Sequence, residues 1–206
     1  MCKLLFLIFT IFHTIPSAIS IVEEDFYFVE RLSDLYNYGS VSLVSDNYKI
    51  ENIKNFMKTS TVQLQFIAIQ KDWILTIQLL VEKKGQVFIS LLNEDDLTLQ
   101  LIGSALETNS SIFSENIWFV KVKDKNKILN KIGNVLKFDS NFYLLVDVEE
   151  NVKDIIEVYS IKQNPDGIMI YTNTIGIWAN NKLLMEQPNK WDRRTDLFGT
   201  NLRYNL

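Results

Sequence analysis

The chain has 206 residues, 47% of them hydrophobic, with 21 Lys and Arg against 25 Asp and Glu and a formal net charge of −4. This mildly acidic balance gives no footprint for nucleic acid or for an anionic membrane surface. The single cysteine, Cys2, and the single histidine, His13, both fall in the first twenty residues, so the fate of that segment decides which chemistry remains.

Met1-Cys2-Lys3 brings one positive charge, Leu4 to Phe12 is apolar except for Thr10, and Pro16-Ser17-Ala18-Ile19-Ser20 closes with small residues two apart. This is the three-part layout of a secretory signal, so residues 1–20 are expected to be removed after Ser20. The apolar run is far shorter than the roughly 20 residues a membrane helix needs. No later segment is long enough either; Trp73 to Val81 comes nearest and reads as a buried helix. Without the signal the chain holds neither Cys nor His, which excludes disulfides, Cys or His zinc sites, thiol nucleophiles and His bases. The mature protein is expected outside the cytosol, held together by its core, and at this size roughly 70% of its unfolded surface can be buried.

Residues 21–178 read as one α/β domain. Glu24 to Tyr38 carries a helical stripe (Phe28, Val29, Leu32, Leu35, Tyr36) that stops at Gly39. Val41 to Val44 is a short strand, Tyr48 to Met57 a helix, and Val62 to Ile69 an alternating strand. Asp72 caps a helix running to Lys83 and Lys84, with Gly85 at its stop. Val87 to Leu92 is apolar almost throughout, as in a strand covered on both faces. Leu97 to Leu106 stays open: Leu97, Leu99 and Leu101 alternate like a strand, whereas Asp95, Asp96 and Ala105-Leu106 suit a helix.

Ile117 to Val122 follows as a strand, Lys127 to Leu136 as a helix and Phe142 to Val148 as a strand. Ile155 to Ile161 and Ile168 to Ile177 flank the turn Asn164-Pro165-Asp166-Gly167 and make an antiparallel hairpin. Strands alternating with helices through short connectors predict a three-layer unit with a mainly parallel sheet between helices, one lobe-like body closed by that hairpin. Ala179 to Lys190, polar and carrying Pro188, reads as a linker that continues to Arg194. Residues 195–206 read as a turn glycine, Gly199, feeding an opening strand. Such a strand is unstable without partners, so the chain is expected to be the amino-terminal piece of something longer.

Ile117-Trp118-Phe119-Val120, Leu136-Lys137-Phe138-Asp139-Ser140-Asn141, Glu157-Val158-Tyr159, Gly176-Ile177-Trp178 and Arg193-Arg194-x-Asp196-Leu197-x-Gly199 occur in this order. In order and spacing they resemble the amino-terminal region of insect ionotropic receptors, variant ionotropic glutamate receptors used in chemosensation, and within them the antennal, acid- and amine-sensing branch. The resemblance covers residues 117–206, and no one piece is specific alone. It implies that Arg193, Arg194, Asp196 and Gly199 belong to the connector into a bilobed ligand-binding domain, of which residues 195–206 would be the first strand. It also implies co-receptor subunits as partners in a hetero-tetramer, and odorant contacts only through domains further along. No ligand-contacting residue can be carried over.

Other clusters each admit a functional and a plainer role. Glu94-Asp95-Asp96 has the composition of a metal site at a strand end, but also of a charged helix start. Asp147, Glu149, Glu150 and Asp154 contain enough carboxylates for acid and base, yet an acidic loop is more often solvated surface. Lys121, Lys123, Lys125 and Lys127 suit a phosphate or lipid contact or a solvated strand end. Tyr36-Asn37-Tyr38-Gly39 suits an aromatic platform or a packed helix end. Asn109-Ser110-Ser111 is the one Asn-x-Ser/Thr acceptor, placed in a loop where a glycan is expected. No catalytic motif, cofactor or metal is expected. Two readings follow: the extracellular amino-terminal part of a chemosensory cation channel, or a free-standing secreted α/β ligand-binding protein.

Overall fold

The computed structural model describes residues 23–36, 40–46, 48–69, 73–81, 84–149, 152–163, 167–185, 190 and 194. The expected signal ending at Ser20, the expected cap Asp72, residues 164–166 of the expected turn, and Arg193, Asp196 and Gly199 lie outside them. In chain order the elements are α1 (Glu23–Tyr36), β1 (Ser40–Ser45), α2 (Ile50–Thr59), β2 (Gln63–Ala68), α3 (Trp73–Val81), β3 (Val87–Ser90) and α4 (Asp95–Thr108). They continue with α5 (Ile112–Glu115), β4 (Ile117–Val122), α6 (Lys125–Ile132), β5 (Asn141–Glu149), β6 (Val152–Gln163), β7 (Gly167–Ala179) and β8 (Lys182–Met185).

The strands form one sheet in the order β2-β1-β3-β4-β5-β6-β7-β8. Neighbours from β2 to β5 are parallel, and those from β5 to β8 are antiparallel. The chain steps from β1 outward to β2, then returns past β1 to β3 and onward. Reversing the direction of travel with right-handed crossovers moves the connecting helices to the other face. Accordingly α1 and α2 pack with Leu43, Ile89, Phe119 and Tyr143 on one face. On the other face α3 to α6 pack with Phe88, Trp118, Phe142 and Leu144. The result is the three-layer α/β architecture that the alternation predicts.

The central strand β3 is buried at all four positions, and Phe88 is 0% exposed, stacked on Trp118 at 4.4 Å between ring centroids. The ambiguous stretch 97–106 lies inside helix α4. Its fully buried positions, Thr98, Leu101, Ile102 and Ala105, fall at helical spacing, with Ser104 buried beside them, while Leu97 and Leu99 lie at the margin of the core. Asp95 and Asp96 occupy the first turn of α4, where carboxylates meet the positive end of the helix dipole. Gly85, the expected stop after α3, has φ +71°, a left-handed conformation that favours glycine.

The expected hairpin is β6–β7, but it is the middle of a larger antiparallel unit, paired to β5 on one side and to β8 on the other. The presence of β8 corrects the linker expected from Ala179 onward. Asn180 and Asn181 have φ of 50° and 57°, and two consecutive left-handed residues make the tight turn that matches strand twist. Its polarity made this segment look like a linker, whereas the conformational tolerance of Asn made it a hairpin. A register shift in β6–β7 between Ile155 and Ile156 sets Ile175 as the extra residue of β7 and turns it into the core beneath α1.

Candidate functional site

Open α/β sheets bind ligands beyond the carboxyl ends of the strands, where the strand order reverses. Here that place lies between β1 and β3. Its polar groups are turned to joining loops. Asp46, just past β1, accepts hydrogen bonds from the Asn93 backbone N–H at 3.2 Å and side-chain amide at 3.0 Å. Asp95 accepts the backbone N–H groups of Lys123 and Asp124, both at 3.0 Å. Asp124 in turn caps α6 by accepting from Asn126 and Lys127 N–H. These carboxylates tie the loop after β3 to the loops after β1 and β4.

The other charged clusters form ion pairs near the surface or stand exposed. Asp96 pairs with Lys127 at 2.8 Å, and this carboxylate holds the Lys127 pKa above its ordinary value. Asp147 lies between Lys121 at 3.7 Å and Lys153 at 4.0 Å, half exposed, and Glu149 is exposed. Lys123 is exposed as well. Among the described residues no three His, Cys, Asp or Glu side chains converge as a metal site would need. Tyr36 packs beside Phe119 at 6.1 Å, while residues 37–39 lie outside the described set. Two shallow surface grooves, of about 300 Å³ at β7–β8 and about 280 Å³ at α4–α6, touch neither the strand-end loops nor the residues described next.

The most built polar site gathers Lys190 and Arg194 against the turn before β5 and the strand β6. The Arg194 N–H donates to the Lys190 carbonyl at 3.1 Å. The Arg194 side chain is fully buried. Its Nη2 donates to Glu157 Oε1 at 2.8 Å and to the Ser140 carbonyl at 2.8 Å, and its Nη1 donates to the Phe138 carbonyl. The guanidinium carbon stands 4.3 Å from the centroid of the Tyr159 ring and 5.8 Å from that of Phe138. Lys190 Nζ donates to the Asp139 carbonyl. Three successive carbonyls of the turn before β5, one carboxylate of β6 and two aromatic faces thus meet the two cations Lys190 and Arg194.

This arrangement suits a guanidinium in particular. Its flat fork reaches several acceptors at once and still offers a face to an aromatic ring. Burying both charges costs desolvation, which is offset only when the lone pairs and protons are nearly all matched. Sequence reasoning named Arg194 and missed Glu157 as its partner. The available signal was a carboxylate at the centre of the apolar run Ile155-Ile156-Glu157-Val158-Tyr159, since an acid on a covered strand needs a cation. The acceptors at Phe138, Asp139 and Ser140 are backbone atoms and carry no sequence signal.

Asn109, the candidate acceptor for a glycan, caps the carboxyl end of α4 and is half-buried. Its side-chain oxygen accepts from the Ser111 N–H at 2.9 Å, and its amide donates to Glu115 at 2.9 Å. The site is therefore a short turn between α4 and α5 and not a long polar loop. Comparison of the chain with family models, with curated proteins and with solved structures gives no match.

Proposed function

We propose that this chain is the extracellular amino-terminal part of a chemosensory ligand-gated cation channel of the ionotropic receptor kind. In this reading the α/β unit serves assembly and trafficking and is not an enzyme. The resemblance over residues 117–206 supports it. The single observation that carries it is the seat of Arg194, a connector residue fully buried against Glu157 of the domain it follows. A chain that is only a tether has no need of a buried ion pair at its root. A chain that must leave a domain in a fixed direction does, because a buried, multiply bonded guanidinium fixes position and orientation together. Odorants would contact domains further along, and co-receptor subunits would complete a hetero-tetramer at the cell surface.

The test is expression of the full reading frame with a co-receptor, recording currents under volatile acids and amines. Ligand-evoked cation currents that are lost in Glu157→Gln while surface delivery falls are the expected result. Tight binding of such compounds by this domain alone, or catalytic turnover, would replace the reading with a secreted binding protein or an enzyme. Passage through the secretory pathway is checked separately, by glycosidase treatment and mass spectrometry at Asn109 and by N-terminal sequencing, which should begin at Ile21.

A further inference from the structure

We propose that β2, the strand at one margin of the sheet, pairs edge to edge with β2 of a second copy of this chain. The two strands run antiparallel about a two-fold axis, so that both sheets become one continuous sheet. The inference concerns the margin of one domain and does not rest on the channel reading.

Among the described residues β2 is bonded to β1 on one side and ends the strand order on the other. Its register with β1 runs unbroken over six pairs, from Ser40–Gln63 to Ser45–Ala68. Just beyond them the Ile69 N–H donates to the Ser45 carbonyl at 3.1 Å. Main-chain groups alternate in direction along a strand, so Gln65, Ile67 and Ile69 turn theirs to β1. Leu64, Phe66 and Ala68 therefore turn their N–H and C=O groups outward, away from the sheet.

Natural sheets guard such a margin with charge, proline, a bulge or a very short strand. The opposite margin follows that rule, because β8 has four residues and opens on the exposed Lys182. β2 has six residues and contains no proline, glycine or bulge. Charge is missing over a longer stretch: Thr59 to Gln70 holds no Asp, Glu, Lys or Arg, although Lys58 and Lys71 bound it. Helix α3, whose Trp73 and Ile77 share a core with Ile67 of β2, has no charged residue either and leaves Leu75 60% exposed.

That pattern selects a second copy over an unlike strand. Beside a two-fold axis each side chain lies near its own symmetry mate, so a charge there would meet a like charge. A strand built for an unlike partner has no such restriction and gains from opposite charge. With the axis at Phe66, that residue faces its mate and Leu64 faces Ala68, which matches every outward N–H and C=O of the three. Tyr48 packs on Phe66 with ring centroids 4.8 Å apart, holding the middle of the strand in place before pairing.

The experiment uses the whole chain, followed by sedimentation across a dilution series and by amide hydrogen exchange. Twice the mass of one chain is expected, with slow exchange at Leu64, Phe66 and Ala68 that quickens on dilution. Gln65→Lys and Gln65→Glu, at a half-buried position, place like charges diagonally across the axis. Each should weaken the pair at least about tenfold. Mixing the two variants should restore the double mass, since Lys then lies near Glu. If a Gln65 variant is unfolded by circular dichroism, Ala68→Pro takes its place. It removes an outward N–H and no bond to β1, and it should leave the chain single. A wild-type chain that is single at every concentration would overturn the proposal. So would a pair that survives these substitutions, or one in which the three amides exchange as fast as in the single chain.

Discussion

The two halves of the sheet solve the burial problem in different ways. In the parallel half, β1, β3 and β4 are buried at nearly every position and lie beneath helices on both faces. In the antiparallel half, β7 leaves Ile168, Met169 and Ile170 at 48%, 46% and 38% exposure. Among the described residues, β8 pairs only with Gly176–Ala179 of that strand. The parallel half is held by apolar contact that needs no particular partner atom. The antiparallel half contains the fully buried Arg194–Glu157 pair, where each donor must meet its acceptor. Dispersion and hydrophobic burial tolerate small shifts, whereas a buried ion pair does not.

That contrast is broken most severely at its two centres. Phe88→Ala should cost about 3–5 kcal/mol in chemical denaturation, because it empties a core aromatic site; a loss under about 1 kcal/mol would mean that β3 is not central. Glu157→Ala should cost about as much, about 3–5 kcal/mol, by leaving Arg194 buried without its counter-charge. The joint replacement Glu157→Leu with Arg194→Met should recover most of that loss, since an apolar pair of similar volume avoids both desolvations. Phe88 has no equivalent rescue by removing a partner, and this asymmetry separates the two kinds of stabilisation.

Smaller effects sharpen the boundary between the halves. A Cβ at Gly176 would lie 2.6 Å from the Leu184 carbonyl and 2.7 Å from Met185 Cγ. Gly176→Ala should therefore push β8 away from β7 at a cost of about 1–3 kcal/mol, the usual penalty of overpacking. Faster amide exchange confined to residues 182–185 is the measurement that checks it. Ile168→Thr at the exposed tip should change stability by less than about 0.5 kcal/mol, as surface substitutions do. The smallest effect is at the turn between α4 and α5. There the Lys84 ammonium and then the Asn109 amide hold the Glu115 pKa below its ordinary 4.5. A depressed carboxylate adds stability above its unfolded pKa and loses it as the pH falls through the folded value. The difference between wild type and Lys84→Met should accordingly be constant near neutrality and shrink below about pH 4.5.

Much of the fold was legible in the chain, and what was not follows a physical pattern. The apolar runs 87–92 and 117–122 announced covered strands, because a strand under helices on both faces has no polar side to show. Stretch 97–106 was not legible, since Leu97, Leu99 and Leu101 fit a period of two as well as part of a helix, and only packing against the sheet selects between them. The hairpin at Asn180-Asn181 was hidden because the same polar residues serve linkers and left-handed turns alike. In the buried ion pair the cation was visible as Arg194, whereas its acceptors are two backbone carbonyls and one carboxylate drawn from two distant segments.

The alternation of elements, the mainly parallel class of the sheet and the burial of its middle are written along the chain, because periodicity and apolar content act locally. Only folding settles that α1 and α2 take one face and α3 to α6 the other, that β8 pairs along β7, and that Arg194 meets Glu157. Those outcomes depend on the direction in which the chain crosses its own sheet and on atoms 37 to 56 residues apart meeting in one socket. No local pattern encodes such a meeting, since its energy exists only when the separated groups are brought together out of water.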